Sequence, residues 1–275
     1  MINIFNYIDR PSPIHRLTGA TKLVCLLLWS FASMVTYDTR ILALMPVAAL
    51  ILFGVSQIKF RDIKAVFWVT FVFMVLNNVM VYVFAPEHGV SIYGTRTVLL
   101  TIAGPYTVTA EQLFYHLNLI LKYFASIPVL LLFVCTTDPS EFAASLSRIG
   151  VSYRVSYSVA LALRYIPDIQ RAYHDISQSQ QARGVEMSKK ESLVKRLKAA
   201  SAILIPLILS SMDRIEVISN AMELRGFGKG KTRTWYRARA FRAADVVCMA
   251  LCAALLVLAV TDTLVRGTRY YNPFI

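Results

Sequence analysis

Charge is scarce in this sequence, and acidic charge scarcest of all. Only 16% of the 275 residues are Asp, Glu, Lys or Arg, where soluble domains carry roughly 25%. Apolar residues make up 56% and the mean hydropathy is +0.54, which excludes a soluble globular protein and points to an integral membrane one. Cysteine is sparse too. Cys25, Cys135, Cys248 and Cys252 all fall in apolar runs, so no disulfide framework is expected. Cys248 and Cys252 stand one helical turn apart and read as small packing residues rather than metal ligands. The histidines, His15, His88, His116 and His174, are scattered without carboxylates at catalytic spacing. The sequence therefore offers no catalytic residue, no metal site and no cofactor motif. No apolar run opens the chain: residues 1–20 carry Asp9, Arg10, His15 and Arg16 and read as a polar lead-in at the membrane surface, not a cleavable signal peptide.

The shortage of acid leaves a basic surplus, 29 Lys and Arg against 16 Asp and Glu, for a net charge of +13. A high pI can mean nucleic-acid binding, but these cations sit between apolar runs, as the positive-inside bias requires. No nucleic acid is expected as partner. The apolar runs are 23–37, 41–55, 65–84, 111–136 and 246–260. The first two are short for spans, which need about 20 residues, and read as a tight helical hairpin around Asp38-Thr39-Arg40. Arg10, Arg16 and Lys22, then Lys59, Arg61 and Lys64, fall on one side, with Arg40 and Arg96 on the other. The alternation predicts a cytoplasmic N-terminus and five spans, leaving 266–275 outside, although Arg266 and Arg269 weigh against that end. Asn77 and Asn78 read as interhelical hydrogen-bonding groups, and His116 and Lys122 as polar interruptions of their span. In the loop 85–110, Ser91-Ile92-Tyr93 and Thr107-Val108-Thr109 are candidates for a small hairpin.

The rest of the charge is concentrated. Residues 138–242 hold 18 of the 29 cations and 9 of the 16 acids. Asp138-Pro139 is a helix start, and a short amphipathic helix runs from it to Arg148 before Gly150. A long helical segment then reaches Arg183 with Pro167 as a kink site, and a second reaches Arg225. Each changes along its length from apolar to polar, and each ends in arginine followed by glycine: Gln181-Ala182-Arg183-Gly184 and Glu223-Leu224-Arg225-Gly226. Glycine there suits a left-handed cap. Ile166-Pro167 before the first motif matches Ile205-Pro206 before the second. Arg171 and Arg214 precede their motifs by about three turns. The pattern is a loose internal repeat. A terminal arginine on a long helix can offer a bidentate fork to a carboxylate on a partner. The run from Arg225 to Thr232 imitates a phosphate-binding loop, but Arg225 stands where that loop needs glycine and no strand precedes it, so ATP hydrolysis is not expected.

At these residues the sequence resembles the transmembrane T component of energy-coupling factor (ECF) importers, the family that includes cobalt-transport permeases. The resemblance is carried by Ser12-Pro13-Ile14-His15-Arg16-Leu17 with Thr21-Lys22-Leu23, by Leu163-Arg164-Tyr165-Ile166-Pro167, by Gln180 to Gly184 and by Ala221 to Phe227. It covers most of the chain. Leu224 departs from it, since the family often has alanine there. The resemblance implies an all-α integral membrane protein of about five transmembrane helices with long cytoplasmic coupling helices. The chain then divides into 1–136, 137–242 and 243–275. It implies a multi-pass scaffold in the cytoplasmic membrane that holds two cytoplasmic ABC ATPase subunits and a small membrane subunit binding a vitamin or a transition metal. Arg183 and Arg225 would each dock in one ATPase, with Ala182, Gly184, Leu224 and Gly226 shaping the contact and Arg164, Pro167, Arg171 and Arg214 supporting it. Two other classes stand beside this one. A self-contained permease needs a polar path through several spans, for which Asn77, Asn78, His116 and Lys122 are few. A membrane-embedded enzyme needs clustered His, Asp or Glu.

Overall fold

The computed structural model describes residues 10–103, 106–185, 193–230, 234–235 and 239–274. The lead-in up to Asp9, the charged segment 186–192, and Lys231, Thr232, Arg233 and Arg237 lie outside the described residues. The chain separates into two compact units, one of residues up to 138 with those from 239 onward, the other of residues 139–238.

The first unit is built on apolar helices. A short α1 (Pro13–Arg16) precedes α2 (Gly19–Val35), α3 (Thr39–Val55) and α4 (Phe60–Phe84); α5 (His88–Tyr93) and a hairpin of β1 (Val98–Ala103) and β2 (Tyr106–Thr109) lead into α6 (Ala110–Thr136). The second unit supplies α7 (Pro139–Arg148), α8 (Tyr153–Ala182) and α9 (Leu193–Leu224), and the chain returns to the first as α10 (Ala243–Arg266). Residues Ile63–Phe84 of α4, together with α6 and α10, are long and apolar enough to cross a membrane. At 17 residues each, α2 and α3 span about 26 Å, just under the hydrocarbon thickness of about 30 Å. The protein is an all-α integral membrane protein.

Small residues let four of these helices approach closely. Ala32, Ala49, Ala125 and Ala259 are fully buried around Trp29 and Met45, where α2, α3, α6 and α10 meet. Trp29 Nε1 donates to the Ala125 carbonyl at 2.8 Å, and Ser33 and Ser126 share a hydrogen bond at 3.0 Å. By contrast, only 6% of the α4 span is buried. It is held near one end by Ile63, packed with Ile58, Leu131, Leu132 and Cys135. Toward the other, His116 Nδ1 donates to Asn78 Oδ1 at 2.9 Å and its Nε2 accepts from Gln112 at 3.2 Å.

The segment after Arg10 is not a surface lead-in. Ser12, His15, Thr18 and Thr21 are buried, because each is used to end or join a helix. Ser12 is hydrogen-bonded to His15 Nδ1 at 2.6 Å, and Thr18 caps α2. The partner of this segment is Asp245, in the first turn of α10. Its Oδ1 accepts from the Thr18 N–H and the Thr21 hydroxyl, both at 2.8 Å, and its Oδ2 accepts from the Arg242 N–H at 2.8 Å. Arg239 Nη1 donates to the His15 carbonyl at 3.0 Å. Beside this junction, the buried Lys22 donates to the Thr136 carbonyl at 2.7 Å, a cation placed on the negative end of α6.

The residues after α10 strap the opposite end of the unit. Tyr37 N–H donates to the Arg269 carbonyl at 2.9 Å, and Asn272 donates to the Tyr93 carbonyl at 3.0 Å. Phe274 packs edge-on against Tyr93 and Phe114. Arg266 is no obstacle to this placement, since Asp262 at 2.8 Å and the buried Asp38 at 3.1 Å hold it. Lys122 donates to the Met34 carbonyl and lies 3.2 Å from the centre of the Tyr37 ring. The expected hairpin partner is wrong in one strand: Ser91-Ile92-Tyr93 is helical, in α5, and β2 pairs with β1. The reason is Gly89, which donates to Gln112 Oε1 at 2.6 Å and sits so close to α6 that a Cβ would lie 2.6 Å from the Glu111 carbonyl. Docking against α6 favours one helical turn over a strand.

Asp245→Ala strips two buried donors and the part-buried Arg242 N–H of their acceptor, a loss of about 3 kcal/mol given typical costs for unpaired buried groups. The detergent-solubilised variant should melt several degrees lower and expose residues 12–22 to proteolysis. An unchanged melting temperature refutes the role assigned to this carboxylate.

Candidate functional site

Three helices of the second unit end in the same way. At the end of α8 the Gly184 N–H donates to the Gln181 carbonyl at 2.9 Å and the Val185 N–H to Gln180 at 3.0 Å. At the end of α9 the Gly226 N–H donates to Glu223 at 2.9 Å and the Phe227 N–H to Met222 at 2.9 Å. Both are Schellman caps, in which a left-handed residue lets two trailing amides satisfy the last carbonyls. Gly184 has φ +84° and Gly226 φ +66°, a region closed to most side chains. The α7 cap has the same geometry, with Gly150 at φ +103° donating to Ser147 and Val151 donating to Leu146. There the residue before glycine is Ile149. The cap thus explains the glycines but not the arginines, which the two long helices add to it.

The predicted site residues fall at these ends and along the helices that carry them. Ala182 and Leu224 are the last helical residues of α8 and α9. Ala182, Arg183 and Arg225 are exposed, and Leu224 is 90% exposed. Within this unit the Leu224 side chain packs on almost nothing. Arg164, Arg171 and Arg214 are exposed along the shafts, Arg171 lying 3.4 Å from Asp168 one turn earlier. Pro167 does not stop α8, which continues through it as α9 continues through Pro206.

Aromatic residues anchor the end of α9. Phe227, the residue after the second cap, packs against Tyr157 at 4.8 Å and Tyr153 at 5.6 Å between ring centres. Arg154 Nη2 donates to the Gly228 carbonyl at 2.9 Å, and Trp235 stands 6.4 Å from Tyr157. The end of α9 is thereby pinned to the beginning of α8. Arg225 sits near the N-terminus of α8 and Arg183 at its C-terminus, about 40 Å of helix apart at 1.5 Å per residue. The first cap is followed by the half-buried Val185, the last described residue before Leu193. The aromatic clasp was missed in the sequence reading, although a hydrophobic residue directly after a capping glycine is its usual sign.

Phe227→Ala should free the end of α9 from α8 at a cost of about 2 kcal/mol for a half-buried aromatic. Hydrogen exchange at residues 222–228 should rise while Phe227→Tyr keeps the wild-type protection. Equal protection in all three proteins refutes the clasp.

Residues 10–236 match the model of the cobalt transport protein family, CbiQ. The energy-coupling factor transporter transmembrane protein EcfT of Leuconostoc gelidum subsp. gasicomitatum is 25% identical over 97% of this chain and 99% of its own length. The protein of the same name from Listeria innocua is 27% identical over 91% and 93%, and that from Heliobacterium modesticaldum 29% identical over 84% and 87%. The matched region runs from the segment that joins α10 through both Arg-Gly caps to the clasp. The chain belongs to the cobalt transport protein family and is the transmembrane component of an energy-coupling factor transporter.

Proposed function

We propose that the chain is the coupling scaffold of its transporter, and that Arg183 and Arg225 each engage one of two cytoplasmic ABC ATPase subunits. The observation that carries this reading is the pair of matching caps, each presenting an exposed arginine, at opposite ends of α8. Two equivalent contacts about 40 Å apart suit two copies of one kind of partner. Each guanidinium offers a flat fork to a carboxylate. Ala182 and Leu224 flank it, Gly184 and Gly226 turn the chain away, and Arg164, Pro167, Arg171 and Arg214 belong to the shafts behind. In this scheme residues 137–242 form the coupling region, and 1–136 with 243–275 the membrane part.

The scaffold has no catalytic residue of its own. Nucleotide-driven closure of the ATPases displaces the two caps, and the helices pass that displacement to a separate small membrane subunit that binds the substrate, a vitamin or a transition metal. The polar residues that a self-contained permease would need are already engaged. Asn78 and His116 bond each other, and Lys122 rests on Met34 and Tyr37. The end that carries Arg16, Lys22, Lys59 and Arg61 faces the cytoplasm, with the N-terminus, in accord with the positive-inside bias. The strap after α10 then lies outside.

Removing one partner of a buried interfacial charge pair costs about 2–5 kcal/mol. Arg183→Ala with Arg225→Ala should therefore abolish copurification of the ATPases, and uptake, while the variant inserts and melts like the wild type. Lysine at either position keeps the charge but loses the fork and should give an intermediate loss. A double variant with an intact complex and normal uptake overturns the assignment.

A further inference from the structure

A groove between α4 and its neighbours belongs neither to the caps nor to the helix junctions. Its α4 wall is Phe60, Ile63, Phe67, Phe71 and Met74, each three or four residues from the next and so on one face of the helix. Leu50 and Phe53 of α3 and Phe124 and Ile127 of α6 form the other side. The volume is about 130 Å³ and the lining is almost wholly apolar. Thr70, part of that lining, commits its hydroxyl to the Val66 carbonyl at 2.8 Å.

The groove has a buried floor and an open side. Ile63, Met74 and Leu131 in its lining are at most 8% exposed, whereas Leu50 and Phe60 are 58% and 54% exposed. Both α4 and α6 carry membrane spans, so the open side gives onto hydrocarbon rather than water. From Phe60 to Met74 the groove follows about 21 Å of helix at 1.5 Å per residue, somewhat more than one leaflet of a core about 30 Å thick. Shape then decides the occupant. One turn of an α-helix, about 10 Å across with a pitch of about 5.4 Å, fills roughly 400 Å³, about three times the groove. A helix of another subunit is too thick to enter. Water is excluded as well, because an apolar cavity of this size stays dry and takes apolar ligands.

We infer that the groove between α3, α4 and α6 binds one acyl chain of a membrane phospholipid. An acyl chain is thin, apolar and already present at this depth. It lies along α4, from the Phe60 end toward the middle of the bilayer. There it supplies Phe53, Phe67, Phe71 and Phe124 with the dispersion contacts that ring-to-ring packing leaves unmade. The exposed Lys59 and Arg61 directly precede the span that begins at Ile63, at the level where cations attract lipid phosphate. The tail, not the headgroup, is what the groove recognises.

The test places the full chain in dioleoylphosphatidylglycerol nanodiscs containing a phosphatidylcholine with a diazirine in one acyl chain. After illumination, mass spectrometry locates the lipid adducts. The buried Ile63, Met74 and Leu131 should be labelled alongside Val69 and Val72, which are exposed on the outward face of α4. Leu50→Trp and Ile127→Phe each fill the groove from one wall and should cut labelling of its floor about fivefold or more, with Val69 and Val72 labelled as before. Val72→Trp adds a ring on the outward face and should leave the floor labelled as in the wild type. Melting like the wild type separates a filled groove from a misfolded one, and either filling variant that passes this check decides the result. An unlabelled floor in the wild type overturns the site, as does floor labelling that persists in the filled protein. Loss of floor labelling in the complete purified transporter makes a protein side chain the occupant and overturns the lipid.

Discussion

A helix leaves its first four N–H and last four C=O groups without partners in its own backbone. In a bilayer protein the shafts are self-sufficient, so nearly all the unresolved polarity gathers at helix ends. This chain closes those ends in two ways. In the membrane unit a side chain reaches across from another element. Asp245 serves the starts of α2 and α10 at once, and Lys22 meets the last carbonyl of α6. In the other unit the chain closes each end locally, by turning back at glycine. The first solution binds elements together; the second closes a helix end within its own last turn, as α10 also does at Gly267.

Packing within the membrane unit is unequal for a related reason. Buried alanines bring α2, α3, α6 and α10 into close register, whereas the aromatic residues of α4 hold it off. Phe60, Phe67 and Phe71 of α4 face Phe53, Tyr123 and Phe124 across an apolar cavity of about 130 Å³. Bulky rings meeting bulky rings do not interdigitate as alanines do, and a void forfeits dispersion contacts on its lining. The helix is thus held mainly near its two ends. Its polar tie, Asn78 to His116, is worth only about 1 kcal/mol by comparison with other interhelical bonds.

Local features were legible in the sequence and distant ones were not. The apolar runs, the start at Pro139, and the stops at Gly150, Gly184 and Gly226 depend on residues within a few positions of one another, and all were readable. Asp245 stands 227 residues from Thr18; nothing in periodicity joins them, so the N-terminal segment looked polar and superficial when it is buried. Lys22, 114 residues from Thr136, looked like a boundary marker for the same reason. Ser91-Ile92-Tyr93 was misread because three residues cannot distinguish strand from helix, and the deciding contact, Gly89 on α6, is tertiary. At the candidate site the motifs located the arginines, but their separation depends on the pairing of the α9 end with the start of α8. That pairing rests on Tyr153, Tyr157 and Phe227, which no repeat in the sequence marks.

The arginines cannot be explained by the helices that carry them. Ile149 occupies the same position in the α7 cap without loss of its hydrogen bonds, so the cap does not require a cation. Placement near the negative end of a helix favours one by about 0.3–1 kcal/mol, too little to need arginine in particular. Each arginine stands next to an exposed apolar residue, a leucine at one end and an alanine at the other. The clasp adds a mechanical consequence. A force applied at Arg225 is borne by Phe227 on Tyr153 and Tyr157, and so enters the first turns of α8. That helix ends at Arg183. One continuous helix therefore separates the two arginines.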